Sequence, residues 1–187
     1  MTKKLIPLLA LTLLLSGCGL AERFLSRDSQ SAPEQAARIP TRGVWREGVF
    51  TSEYLGLTFQ MPQDWTASMD PDVRELTDAE IFGTIATSPN EDASVHILFR
   101  RLHFLILGID EHEYMASVAE QAGVDFDSFG MRRIGRYDWH VYGTVAGGNN
   151  FGRYFINIDD GFVRVISFLY TDQSKSLEEM LALFSPL

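Results

Sequence analysis

Apolar residues fill both alternating sets of positions in Phe162-Val163-Arg164-Val165-Ile166-Ser167-Phe168-Leu169-Tyr170. A strand that is apolar on both sides is covered on both faces. Alternation and β-rich composition predict further strands at Val49–Thr51, Leu57–Met61, Ile81–Thr87, Ser94–Leu102, Trp139–Ala146 and Phe151–Ile158. Asp159-Asp160-Gly161 sits between the last two apolar runs, and Asp-Gly favours a tight hairpin turn. Helical spacing takes over at Tyr114, Met115, Val118, Ala119 and Ala122. That stripe follows a capping box, Asp110 to Glu113, and stops at Gly123. A second helical stripe, Leu177, Met180, Leu181 and Phe184, follows Ser176 and Glu179. Asp70-Pro71 opens a further short helix within Pro71–Glu80. Strand pairs, helix, strand pairs, helix: the order predicts an α+β domain, an antiparallel sheet flanked by helices on both faces (an α/β/α sandwich).

The N-terminus follows another pattern. Lys3 and Lys4 precede an apolar run, Leu5 to Leu15, interrupted only by Pro7 and Thr12. A basic start, a short apolar core and small residues before a cut site make a secretory signal peptide. The run is well below the roughly 20 residues of a spanning helix. Leu15-Ser16-Gly17-Cys18 then resembles the lipobox of bacterial lipoproteins, and Cys18 is the only cysteine in the chain. The resemblance implies cleavage before Cys18, a diacylglyceryl thioether on its Sγ, and a mature chain held by lipid on the extracytoplasmic face of the cell envelope. The expected division is residues 1–17 signal peptide, 18–43 flexible tether, and 44–187 one globular domain. Ser26–Thr41 is rich in Ser, Gln, Ala, Arg and Pro, which is linker chemistry.

Gly48-Val49-Phe50-Thr51-Ser52-Glu53-Tyr54-Leu55-Gly56-Leu57-Thr58-Phe59-Gln60-Met61-Pro62-Gln63-Asp64-Trp65 resembles the opening of PsbP-like domains. The closing hairpin at Asp160-Gly161 and the terminal helix add to that resemblance. PsbP itself is the extrinsic protein of photosystem II, and many bacterial lipoproteins of unknown function share its sandwich. The resemblance therefore implies the α/β/α fold. Its motifs are packing motifs, so no site residue comes with it. Trp65, after the Pro62-Gln63-Asp64 turn, is expected to close the end of the sandwich as core.

Charge narrows the partners. The formal net charge is −9, and loss of Lys3 and Lys4 leaves 14 basic against 25 acidic residues, or −11. Such a domain gains nothing from a polyanion, which argues against nucleic acid. A single cysteine removes disulfides and thiolate metal sites. No cofactor and no metal site is expected.

The constellations that could carry chemistry are few. Gly147-Gly148-Asn149-Asn150-Phe151-Gly152 has phosphate-loop glycines but lacks the following Lys and Ser/Thr, and reads as a hairpin loop. Asp125-Phe126-Asp127-Ser128-Phe129-Gly130 opens like a calcium loop, yet Phe129 and Arg136 stand where charged ligands are required. His96 and His103 are seven apart and face opposite sides of one strand. His140, with Asp138 two residues earlier on the same face, could form a catalytic dyad. Arg132, Arg133, Arg136, Arg153 and Arg164 form a basic group that could contact an anion. Phe104-Leu105-Ile106-Leu107-Gly108-Ile109 is an apolar connection where a polar one is expected, and its Phe104, Leu105, Ile106, Leu107 and Ile109 are the candidate partner surface. The expectation is a lipid-anchored envelope module, without catalysis, that binds an envelope protein partner. The alternatives are an envelope hydrolase using His140 and Asp138, and a carrier with an apolar cavity.

Overall fold

The computed structural model describes residues 43–68, 81–102, 108–146, 150–171 and 177–187. The signal peptide, Cys18 and the tether up to residue 42 lie outside the described residues, as do the expected helix at Pro71–Glu80, His103, the stretch Phe104–Leu107, Gly147–Asn149 and Ser176.

Eleven strands and two helices are described: β1 (Val44–Arg46), β2 (Val49–Ser52), β3 (Leu57–Gln60), β4 (Thr66–Ser68), β5 (Ile81–Thr87), β6 (Ala93–Arg101), α1 (Glu111–Ala122), β7 (Asp127–Ile134), β8 (Tyr137–Ala146), β9 (Asn150–Asp159), β10 (Phe162–Tyr170), α2 (Leu177–Leu181) and β11 (Phe184–Pro186). They build two antiparallel sheets. One has seven strands in the order β4-β5-β6-β10-β9-β8-β7, the other four in the order β1-β2-β3-β11.

The α/β/α expectation is thereby corrected. The fold is mostly β: among the described residues one twelve-residue helix covers one face of the large sheet, and the small sheet lies on the other. The alternation in β10 shows how. Val163, Val165 and Leu169 join Tyr114, Met115 and Val118 of α1 in one core cluster. Ile166, Phe168 and Tyr170 join Phe50, Leu57 and Phe59 of the small sheet in the other. Period two says that both faces are covered and is silent on what covers them. The terminal helix is also shorter than expected. It ends at Leu181, and Phe184 pairs with Phe59 as a strand residue.

Local chemistry explains the boundaries that matter. Glu113 N–H donates to Asp110 Oδ1 at 2.8 Å and Asp110 N–H donates to Glu113 Oε2 at 3.3 Å, so α1 starts where the capping box demands. Gly123 ends it at φ 64°, a left-handed cap that glycine adopts without a Cβ clash. Asp160 and Gly161 both have positive φ, 52° and 74°, which matches the twist of the β9–β10 hairpin.

Candidate binding site

The His140–Asp138 pair does not form a dyad. The Asp138 carboxylate accepts from Arg133 Nη1 at 3.0 Å on the exposed side of the β7–β8 hairpin. His140 instead faces the first turn of α1, with Nε2 4.0 Å from Glu111 Oε2 and the His112 ring edge-on at 5.0 Å between centroids. His112 Nδ1 in turn is hydrogen-bonded to the Tyr142 hydroxyl at 2.8 Å, and Glu111 Oε1 accepts from the Ile158 N–H at 2.8 Å. These contacts dock the start of the helix on β8 and β9. Among the described residues no Ser, Thr or Cys is hydrogen-bonded to either ring, and no three His, Cys, Asp or Glu side chains are grouped to hold a metal ion.

The arginines separate. Arg132 Nη1 donates to the Met131 carbonyl at 2.9 Å, Arg133 holds Asp138, and Arg136 occupies the β7–β8 turn, where its N–H donates to the Leu55 carbonyl. Arg164 is fully buried between the sheets. Its Nη2 donates to the Tyr54 hydroxyl at 2.6 Å, its Nη1 to Asn157 Oδ1 at 2.8 Å and to the Asp159 carbonyl at 3.2 Å. The Tyr137 ring lies 4.2 Å from its Cζ. Burial pushes the Tyr54 hydroxyl up to about 12, against the opposing pull of Arg164. Arg164 is thus a core residue, and its membership of a surface cluster is corrected.

Ile109 is corrected in the same way. It is 5% exposed and packs with Leu102, Tyr114 and Met115 under α1, so it belongs to the core and not to a partner surface.

Trp65 packs against the core cluster of the two sheets without being enclosed by it. The ring expected as core is half-buried, and its other side forms the wall of a cleft of about 280 Å³. β3 runs into Pro62, and Asp64 takes a positive φ of 67°, which swings Trp65 back over the sheet end while its N–H donates to the Pro62 carbonyl at 3.3 Å. Phe168 and Tyr170 of β10 form the floor, with Met180 and Leu183 from α2 and its exit opposite Trp65. Among the described residues Glu179 is the one charged side chain at this cleft. The lining is otherwise almost wholly apolar, so what it can do chemically is exclude water around an apolar group. The sequence carried a signal for this site in Pro62-Gln63-Asp64-Trp65. The orientation of the ring, however, depends on the turn.

On the opposite face of the large sheet His96 is buried, with Nε2 2.9 Å from Ser94 Oγ. Among the described residues its Nδ1 and the Oγ of Ser167, its register partner, have no hydrogen-bond partner. Burial lowers its pKa to about 4. It faces the interior, away from the cleft.

No family model matches the chain, and no curated protein matches it. Among solved structures, the solution structure of cyanobacterial PsbP (CyanoP) from Synechocystis sp. PCC 6803 is 11% identical, with 85% of this chain and 98% of that chain covered and a TM-score of 0.48. A protein from Bacteroides thetaiotaomicron VPI-5482 is 13% identical, with 71% and 45% covered and a TM-score of 0.40. Nothing about function passes from either to this chain.

Proposed function

We propose that this is a lipid-anchored cell-envelope binding protein that holds an apolar ligand in the cleft beside Trp65. The single observation that carries the reading is the half-buried Trp65 ring on the wall of an apolar cleft, in a molecule whose other large aromatic rings are mostly buried. The ring packs on the core with one side and walls an apolar cleft with the other, the concave apolar lining that small-molecule sites share. The hydrolase alternative has no support in the geometry around His140, whose nearest carboxylate belongs to the helix it anchors.

The test is a titration of the full chain carrying Cys18→Ser, purified without detergent, with N-phenyl-1-naphthylamine as an uncharged apolar probe. Saturable fluorescence enhancement is expected, and Trp65→Ala should weaken it by about tenfold, the loss of one aromatic wall. An enhancement that does not saturate in the parent chain overturns the reading.

Anchoring is tested separately. Leu15-Ser16-Gly17-Cys18 supports lipid attachment, and no helix among the described residues is long and apolar enough to cross a membrane. Cys18→Ser should move the protein from the membrane fraction to the soluble one or leave an uncut precursor. Normal processing with unchanged membrane retention would show that Cys18 carries no lipid.

A further inference from the structure

Arg153 is held in a way that core packing does not require. It lies on β9, between Gly143 of β8 and Phe168 of β10 in register. The Nη1 end of its guanidinium sits over the Gly143 backbone, so close that a Cβ at 143 would overlap it. The Phe129 ring lies against it, with Cζ 4.1 Å from the ring centroid and Cε2 reaching the same space over Gly143. The group is therefore held between backbone and an aromatic ring. Among the described residues its N–H groups make no hydrogen bond and no ion pair. A guanidinium carries its donors in a planar fork that matches the two oxygens of a carboxylate, and none of the described residues takes them up here.

The surroundings lead from that edge to the cleft. In the neighbouring row Val145, Phe151 and Tyr170 are register partners across β8, β9 and β10. Val145 is 63% exposed, and the Phe151 ring stacks on Tyr170 at 5.6 Å. Tyr170 lines the cleft, and Arg153 is near enough to oppose the burial that raises its hydroxyl. An apolar strip thus crosses the sheet from the arginine to Trp65. At a strand spacing of about 4.8 Å, two or three strands are roughly 10–15 Å, a span for an extended acyl chain.

We infer that the ligand of the cleft is a free long-chain monocarboxylate, with its carboxylate on Arg153 and its chain laid across Phe151 and Tyr170 toward Trp65. This rests on the cleft being a binding site. One clamped guanidinium suits a single negative charge, and a chain of net charge −9 disfavours a more highly charged head group. Glu179, at the tail end, stays clear of the carboxylate in this orientation.

Hexadecanoate and uncharged 1-hexadecanol are compared as displacers of N-phenyl-1-naphthylamine from the full chain carrying Cys18→Ser. Hexadecanoate should displace at about 10- to 100-fold lower concentration, the worth of a paired charge-assisted contact. Arg153→Gln should erase that preference and leave hexadecanol unchanged. Gly143→Ala, which evicts the guanidinium without removing it, should reduce the preference too. Arg153→Lys, which keeps the charge and loses the fork, should retain only part of it, and it decides the matter if Arg153→Gln unfolds. Equal displacement by the two compounds overturns the Arg153 assignment while the cleft reading stands. An unchanged preference in Arg153→Gln, or in Arg153→Lys where the Gln variant unfolds, overturns it as well. Displacement by neither compound overturns both.

Discussion

Arg164→Ala is expected to cost about 3–5 kcal/mol of folding stability, the range for breaking a buried charged contact and leaving its partner behind. The truncation leaves a hole between the two sheets, and it strands the Tyr54 hydroxyl and Asn157 Oδ1 that the guanidinium now serves. The Tyr137 ring loses the cation it covers. Arg164→Met fills most of the volume, removes a charge from a dry site, and should recover part of the loss. Combining it with Tyr54→Phe, which removes the orphaned hydroxyl, should recover more. Urea unfolding of the single and double variants checks the set. An Arg164→Ala variant within about 1 kcal/mol of the parent would place the guanidinium in solvent and would restore it to the surface group. The sheet carries a second such pair on its other face. Arg100, beside Phe162–Arg164 in the β6–β10 ladder, hydrogen-bonds the buried hydroxyl of Tyr114, which burial raises and Arg100 pulls back. The same two strands thus bury one arginine toward α1 and one toward the small sheet.

Much of this fold was written in local chemistry. The capping box at Asp110 and Glu113, the glycine stop at 123 and the Asp160-Gly161 turn are each decided by residues within a few positions, so the sequence alone locates them. Strand β7 was not legible, because seven of its eight residues are exposed and a bulge between Ser128 and Met131 breaks the alternation. An edge strand held by backbone pairing needs no apolar pattern, and the Asp125–Gly130 stretch within reach of a calcium-loop reading is partly that strand. Phe184 was misread for the opposite reason. Its spacing from Met180 and Leu181 is helical, and only the distant Phe59 shows why it leaves the helix. The site follows the same division. Trp65 was singled out from its neighbours, but Gly143 and Arg153 meet through register, and nothing in either segment announces the other. Ile109 and Arg164 look alike in hydropathy to surface counterparts, and both are fixed by what α1 and the small sheet place on top of them.

Acid should weaken the fold through His96. The ring is 5% exposed on β6, facing α1, with Ser94 Oγ on Nε2, Ser167 opposite on β10 and Ile85 opposite on β5. Burial is the cause of its lowered pKa, about 4, against about 6.5 for a histidine in the unfolded chain. Between those values the unfolded chain holds a proton that the folded one refuses. Stability therefore rises with pH across that window: the contribution is complete above about pH 6.5 and is lost progressively as pH falls toward 4. At 1.36 kcal/mol per unit the total is about 3 kcal/mol, an order of magnitude for a site this dry. A protonated ring finds no stabilising anion among the described residues, since its Nδ1 meets no acceptor there and the nearest hydroxyls are neutral. Urea unfolding at several values between pH 7 and pH 4.5 should show the decline, and His96→Leu should flatten it, whatever that substitution does at neutral pH. Any slope that survives in the variant belongs to other groups. If His96→Leu leaves the acid limb as steep as in the parent, His96 is not the group that acid must charge, and the α1 face of the sheet admits water to it.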